Sequence, residues 1–276
     1  MALFTEDEAR TFFATQSATP VPADCSFRDW ANSLPLGQLP VGNLNVDLLR
    51  VHSQREVERL LILAASHYRR AHDLLSPISS PWAHVTLYYG SFFAASALLG
   101  ALGAWKLKGD VRLEPVQTSA PNQRFAVQRV RSTFSGSHEK FWEFYFSHAK
   151  GLVASATGFE RFGLTAVSSD VKWLSSRRND FNYDSYRACE LAMLHKSNFV
   201  AASFPTSLPG PLNTQYRFFV SVLTVANRVA NSVGIDTDAV CGLSVAPTRS
   251  KRIAEVVVST RPPRLAAKVD RRVAIG

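Results

Sequence analysis

The stretch "SSRRNDFNYDSY", residues 175 to 186, crowds arginine, asparagine, aspartate and tyrosine into a chain that is otherwise largely apolar. Arginine offers a fixed fork of donors that fits a phosphate, and it keeps its charge at any working pH. Arg177 and Arg178 are therefore candidate phosphate ligands. Asn179 and Asn182 can orient a ribose hydroxyl or a phosphate oxygen, and they can equally cap a helix. Tyr183 could donate a proton to a leaving oxygen, but a phenol titrating near ~10 is a poor base at neutral pH. Asp180 could act as a carboxylate base or neutralise either arginine. The same residues also suit a wet turn. A helix ending at "SSRRND" and restarting at "YDSYRACE" would use Asn182 or Asp184 as an N-cap and leave the arginines in water.

Other chemistries lack their residues. The chain has no glycine-rich phosphate loop, paired CxxC, HExxH or nucleophile elbow, so neither a metal nor a cofactor is expected. "SHEK" and "SHAK" match a serine-x-x-lysine spacing without its usual partner motifs. His67 and His72 are five apart and do not share a helix face as metal ligands would. Cys25, Cys189 and Cys241 are widely separated and odd in number, which points to a reducing, cytoplasmic setting. "MALFTEDEAR" opens with acids, so secretion is not expected.

Charge is unevenly spread. The net charge is +9. Residues 1–50 carry Arg10, Arg28 and Arg50 against Glu6, Asp7, Glu8, Asp24, Asp29 and Asp47. Residues 249–276 carry eight Lys and Arg, Lys251 and Arg252 among them, against Glu255 and Asp270. Such a tail is either a solvated extension or an attractor of polyanions, through release of their counterions.

The elements that must position the cluster read as mainly helical. "FTEDEARTFFA" is a short helix with Thr5 and Glu8 spaced as a capping box. Residues 19–45, with four prolines and two glycines, read as an irregular connection wrapping over the core. "SQREVERLLILAASHYRRAHDLL" is amphipathic, with Ser53 and Glu56 as a second capping box. Ser80 and Pro81 then open a helix within a run that has no charge between Asp73 and Lys106. The run could span a bilayer, but its polar and glycine content fits a helix buried on all sides, so a membrane is not expected.

"VRLEPVQ" and "RFAVQRVR" predict a β-hairpin within residues 109–135. "SHEKFWEFYFSHAK", "DVKWLSSRRND" from a cap at Asp170, "SYRACELAMLHKSNFVAA" and "NTQYRFFVSVLTVANRVANSVG" return to helix, with Gly234 ending the last. "AEVVVST" adds a short strand before the basic tail. The expected fold is a helical bundle with a small β insertion and extensions at both ends. Residues 1–50 form the N-terminal extension, 51–248 the helical domain and 249–276 the tail.

Two of these segments together resemble the HEPN superfamily, all-α domains associated with nucleic acids in toxin–antitoxin, phage-defence and RNA-processing proteins. The first is "YYGSFFAASALLG", where Tyr88, Tyr89, Phe92, Ala94, Ala95, Ala97, Leu98 and Leu99 stand in a tyrosine-rich helix pattern. The second is "RNDFNY", where Arg178 and Asn179 stand at the start of the motif helix. The resemblance spans roughly residues 50 to 232 through short, degenerate motifs. It implies RNA as partner and a homodimer whose two motifs face one cleft. It also implies metal-free cleavage, in which a base activates the ribose 2′-hydroxyl and arginine stabilises the added phosphate charge.

The family's ribonucleases carry histidine where Tyr183 stands, which removes the group best matched to neutral pH. His138, with Glu139 as its orienter, is the candidate stand-in. Phe141, Trp142, Phe144 and Tyr145 either stack bases or pack the core. The expected function is therefore RNA binding at Arg177, Arg178, Asn179, Asn182 and Tyr183, helped by Lys251 and Arg252, with endoribonuclease activity as its stronger form. The alternative is a non-catalytic helical module for dimerisation or for binding a cognate partner protein.

Overall fold

A long uncharged helix persists in water only when other elements cover most of its surface. The computed structural model describes residues 3–14, 26–39, 44–74, 80–108, 110–116, 124–130, 137–166, 172–183, 210–235, 237, 243–245 and 256–258. Along the chain these form α1 (Glu6–Ala14), α2 (Phe27–Ser33), β1 (Gly37–Leu39), α3 (Leu44–Asp73) and α4 (Ser80–Ala101). There follow β2 (Trp105–Lys106), β3 (Val111–Val116), β4 (Arg124–Arg129), α5 (Ser137–Ala149) and a 3-10 segment (Lys150–Ser155). The remainder are α6 (Gly158–Leu164), α7 (Trp173–Tyr183), α8 (Gly210–Ser232), β5 (Leu243–Val245) and β6 (Val256–Val258).

The uncharged run is α4, and it lies at the centre of the helical layer. It packs along α3 and α8 and meets α5 and α7 as well. Ala83, Leu87, Tyr88, Ala94, Ala95, Leu98 and Ala101 of α4 have no exposed surface. Small residues allow this close approach. A Cβ on Gly90 would come within 2.6 Å of the Phe219 ring of α8, and one on Gly100 within 2.2 Å of Trp105. Among the described residues no helix is long and apolar enough to cross a membrane. Trp82 apart, the large apolar residues of α4 are buried or half-buried.

Several local expectations hold. Thr5 and Glu8 form the capping box, with Thr5 N donating to Glu8 Oε2 and Glu8 N donating to Thr5 Oγ1. Gly234 follows α8 at φ +89°, where a side chain is disfavoured. The hairpin is β3 and β4, antiparallel, and Val256–Val258 of "AEVVVST" pairs with β5.

Other expectations are corrected. Ser53 does not cap a helix: α3 begins at Leu44, so it also crosses the expected boundary at residues 50 and 51. Ser53 is buried, and its Oγ accepts from Trp105 Nε1 at 3.1 Å. Apolar residues at Leu44, Leu48 and Val51 continue the helical period upstream, so nothing stops the helix at Ser53. Within residues 19–45, those from 26 to 39 are ordered as α2 and β1. Ser26 accepts from Asp29 N as a true N-cap.

The strand β1 turns the hairpin into part of a four-stranded antiparallel sheet of order β1-β4-β3-β2. One face carries Leu39, Trp105, Leu113, Phe125 and Val127, all buried. Phe4 and Phe12 meet Phe125 at 5.6 and 5.4 Å, and Phe27 meets Trp105 at 4.4 Å. The N-terminal segment is thus core material for the sheet, worth about 1.5–3 kcal/mol per fully buried large apolar side chain.

Helix α6 has seven residues, too few for a helical period to stand out in the sequence. It begins at a genuine capping box, Thr157 with Glu160, and Gly163 presses against the α8 backbone. Among the described residues the chain is mainly helical, with one small four-stranded sheet and the short β5–β6 pair.

Candidate functional site

The arginine cluster does not lie in a turn. Arg178, Asn179 and Asn182 belong to the continuous helix α7, which runs to Tyr183, so the expected break after "SSRRND" is corrected and Asn182 caps no new helix. Asp170 and Asp184 lie outside the described residues, as do the side chains of Arg177, Asp180 and Tyr183. Lys251 and Arg252 lie outside them too. Asn182 is half-buried.

Three helices bring the site together. Ser175 and Arg178 are three apart on α7 and share the face turned to α4. The Arg178 guanidinium lies over the Tyr88 ring of α4, 5.6 Å from its centroid. Such a contact holds the cation through the ring's negative face. Nε and Nη2 of Arg178 both donate to Asn179 Oδ1, the former at 3.1 Å. Arg178 is half-buried and Asn179 exposed.

Tyr88 is the hub of the site, and it has no exposed surface. A buried phenol needs hydrogen-bond partners, and Tyr88 has two from α5. Its hydroxyl lies 2.8 Å from His138 Nδ1, and Trp142 Nε1 donates to it at 3.3 Å. Burial pushes the phenol up to about 12, against the pull of the Trp142 N–H, Arg178 and Ser175. Ser175 is buried beside it without a hydrogen bond of ordinary geometry, so its pull is weak. Tyr88 therefore keeps its proton at neutral pH.

Burial, then the neighbouring Arg178 charge, pushes His138 down to about 4. Its ring is neutral at physiological pH. Since Trp142 can only donate, the phenol proton is available to His138 Nδ1. That arrangement leaves the imidazole proton on Nε2. The described groups at the site are then mostly donors: a guanidinium, an imidazole N–H and an amide. They suit an anionic oxygen, whereas a base is missing in this tautomer.

Glu139 does not orient His138 among the described contacts. Its carboxylate meets Lys172 Nζ at 2.5 Å and ties the first turn of α5 to the start of α7. Phe141, Trp142, Phe144 and Tyr145 are all buried, so of their two readings core packing holds. Phe141 meets Phe92 of α4, Trp142 meets Phe218 of α8 at 5.9 Å, and the Tyr145 hydroxyl donates to Gly163 O of α6. Among the described residues no group of three or more His, Cys, Asp or Glu side chains could hold a metal.

Arg178, Asn179 and His138 are legible in the sequence as separate capable groups, whereas Tyr88 as the group joining them is not. One signal was present, a tyrosine in the middle of an uncharged helix, which requires a polar partner from elsewhere. Comparison with protein-family models, with curated proteins and with solved structures returns no match to this chain.

Proposed function

We propose that this chain is a HEPN-like RNA-binding protein of the toxin or phage-defence kind, cytoplasmic, gripping the RNA backbone with Arg178, Asn179 and His138. One observation carries the reading: residues from α5 and α7 converge on Tyr88 to present three donor side chains at a half-exposed position. Arg178 supplies the fixed charge, with the aromatic ring beneath limiting its freedom. His138 adds an N–H to a phosphate or ribose oxygen. Asn179, anchored through its carbonyl, offers its amide N–H groups.

Endoribonuclease activity is the stronger form of this proposal. It requires the other His138 tautomer, with Nδ1–H donating to Tyr88 and Nε2 free to take the 2′-hydroxyl proton. The oxygen would then attack the adjacent phosphate while Arg178 stabilises the added charge; the P–O5′ bond breaks to leave a 2′,3′-cyclic phosphate, and the departing 5′-oxygen takes back the proton held on His138 Nε2 or one from water. Fluorescence anisotropy with labelled RNA at fixed salt tests the binding. Arg178→Ala should weaken it about tenfold or more, since charge-assisted contacts to phosphate contribute strongly. Equal affinity of the two proteins defeats the proposal. Incubation of RNA in chelator, comparing wild type with His138→Ala, tests the cleavage.

A second reading, a non-catalytic module for dimerisation or partner binding, draws support from Trp82 of α4 and Ile62 of α3, which are 62% and 46% exposed. Sedimentation of Trp82→Ala beside wild type tests it: an unchanged association state would remove its support.

A further inference from the structure

Ser91 and Ser96 of α4 and Ser221 of α8 each donate their hydroxyl to the carbonyl four residues back, at 2.7 to 2.8 Å. Ser175, in the first turn of α7, does not. It is 7% exposed, and among the described residues its Oγ has no hydrogen-bond partner. A buried hydroxyl in that state is uncommon, because desolvating it costs free energy that no contact returns. Its neighbour is the Tyr88 hydroxyl, on which Ser175 pulls weakly. Ser175 also stands three residues before Arg178, on the same face of α7.

Tyr88 has one proton to place. Trp142 Nε1 donates to its oxygen, and His138 Nδ1 lies 2.8 Å away. With the phenol proton toward Nδ1, His138 keeps its own proton on Nε2 and turns a donor outward. With the phenol proton turned to Ser175 Oγ, the Tyr88 oxygen can accept from Nδ1–H as well as from Trp142. Nε2 then turns a lone pair outward. The exchange takes one proton from water at Nδ1 and returns one to water from Nε2. Burial and the Arg178 charge disfavour the charged ring, so both settled states are neutral tautomers.

We infer that Ser175 is a positioning residue: by accepting the Tyr88 proton, it switches the outer edge of His138 from donor to base. What the switch does for RNA rests on the proposed grip at Arg178, Asn179 and His138. The donor state binds the backbone, and the base state takes the 2′-hydroxyl proton. The imidazolium formed in that step also carries Nδ1–H, so it depends on the same acceptor. Ser175 acts only through Tyr88.

The test uses the full chain, isotope-labelled in its histidine ring nitrogens, without ligand at neutral pH. The His138 resonances are those lost in His138→Ala, and their shifts report which nitrogen carries the proton. Wild type should populate both tautomers. Ser175→Ala should reduce the Nδ1–H form about fivefold, the effect of one hydrogen bond. Ser175→Thr, which keeps the hydroxyl, should restore it, and Ser175→Ala should change nothing in a Tyr88→Phe background. Equal populations in wild type and Ser175→Ala overturn the switch, as does a shift that persists in the Tyr88→Phe background.

RNA in chelator gives the second readout. Ser175→Ala should slow cleavage about fivefold, in step with the lost tautomer, with little change in affinity. Cleavage at the wild-type rate despite a shifted tautomer overturns the catalytic consequence. A tautomer shift in a protein whose wild type binds no RNA supports the switch and defeats the RNA reading.

Discussion

The two ends of α5 each carry a histidine, about three turns apart, and the protein treats them oppositely. His138, in the first turn, is half-buried beside the Arg178 cation and the Tyr88 phenol. His148, in the last turn, is buried against the polar face of the sheet. Its Nδ1–H donates to Phe144 O at 2.8 Å, and Nε2 lies 3.5 Å from Glu114 Oε2. Arg112 Nε approaches the same carboxylate oxygen at 3.3 Å, and Glu114 is only 4% exposed. At this end the protein supplies its own anion and encloses it. At the other end the described groups around Tyr88 are the half-exposed Arg178, the His138 ring and the Trp142 N–H, the set that the proposed RNA grip uses. Residue type alone does not separate a structural histidine from a functional one. The charge of its neighbours and their access to solvent do.

The largest expected effect breaks the enclosed end. Glu114→Ala leaves Arg112 and His148 at a buried position without their carboxylate, which should cost about 3–5 kcal/mol. In a chain of this size the thermal midpoint would fall by on the order of 10 °C. Denaturant unfolding of the variant checks it, and a midpoint equal to wild type would show that this contact does not hold the sheet to α5.

A smaller effect is expected at the open end. Tyr88→Phe removes the hydroxyl shared by His138 and Trp142 and should destabilise by about 1–3 kcal/mol, because the buried Trp142 N–H is left unpaired. The same denaturation experiment measures it.

The smallest effect concerns pH. The folded His138 titrates at about 4, below the ordinary histidine value, so between the two the unfolded chain binds more protons than the folded one. Its contribution to stability is fully present above the unfolded value and declines as pH falls toward about 4. Arg178→Met should raise the His138 titration without restoring the ordinary value, because burial is the larger cause. Imidazole proton resonances followed against pH would show this. An unmoved titration would mean that Arg178 does not govern the ring.

Two serine or threonine boxes show how far local pattern reaches. Ser53-x-x-Glu56 and Thr157-x-x-Glu160 have the same spacing, yet only the second starts a helix. A capping box works only where the preceding residues are not already helical, and the residues before Ser53 are. In the same way, "RRNDFNY" was legible as a polar cluster, but its turn-like composition concealed that α7 runs straight through it. The hairpin was legible from β-leaning runs. Its partner strand β1 was not, since three residues at Gly37–Leu39 carry no period of their own.

The sequence by itself determined most helices, the hairpin and the identity of Arg178, Asn179 and His138 as chemically capable groups. Helix period, caps and the donor geometry of a side chain are properties of neighbouring residues. Only the tertiary structure decided that Tyr88 lies under Arg178 and against His138, and that His148 is enclosed with Glu114. Those contacts join residues far apart in the chain, and they form because burying α4 draws α5 and α7 onto it. No short window of sequence carries that information.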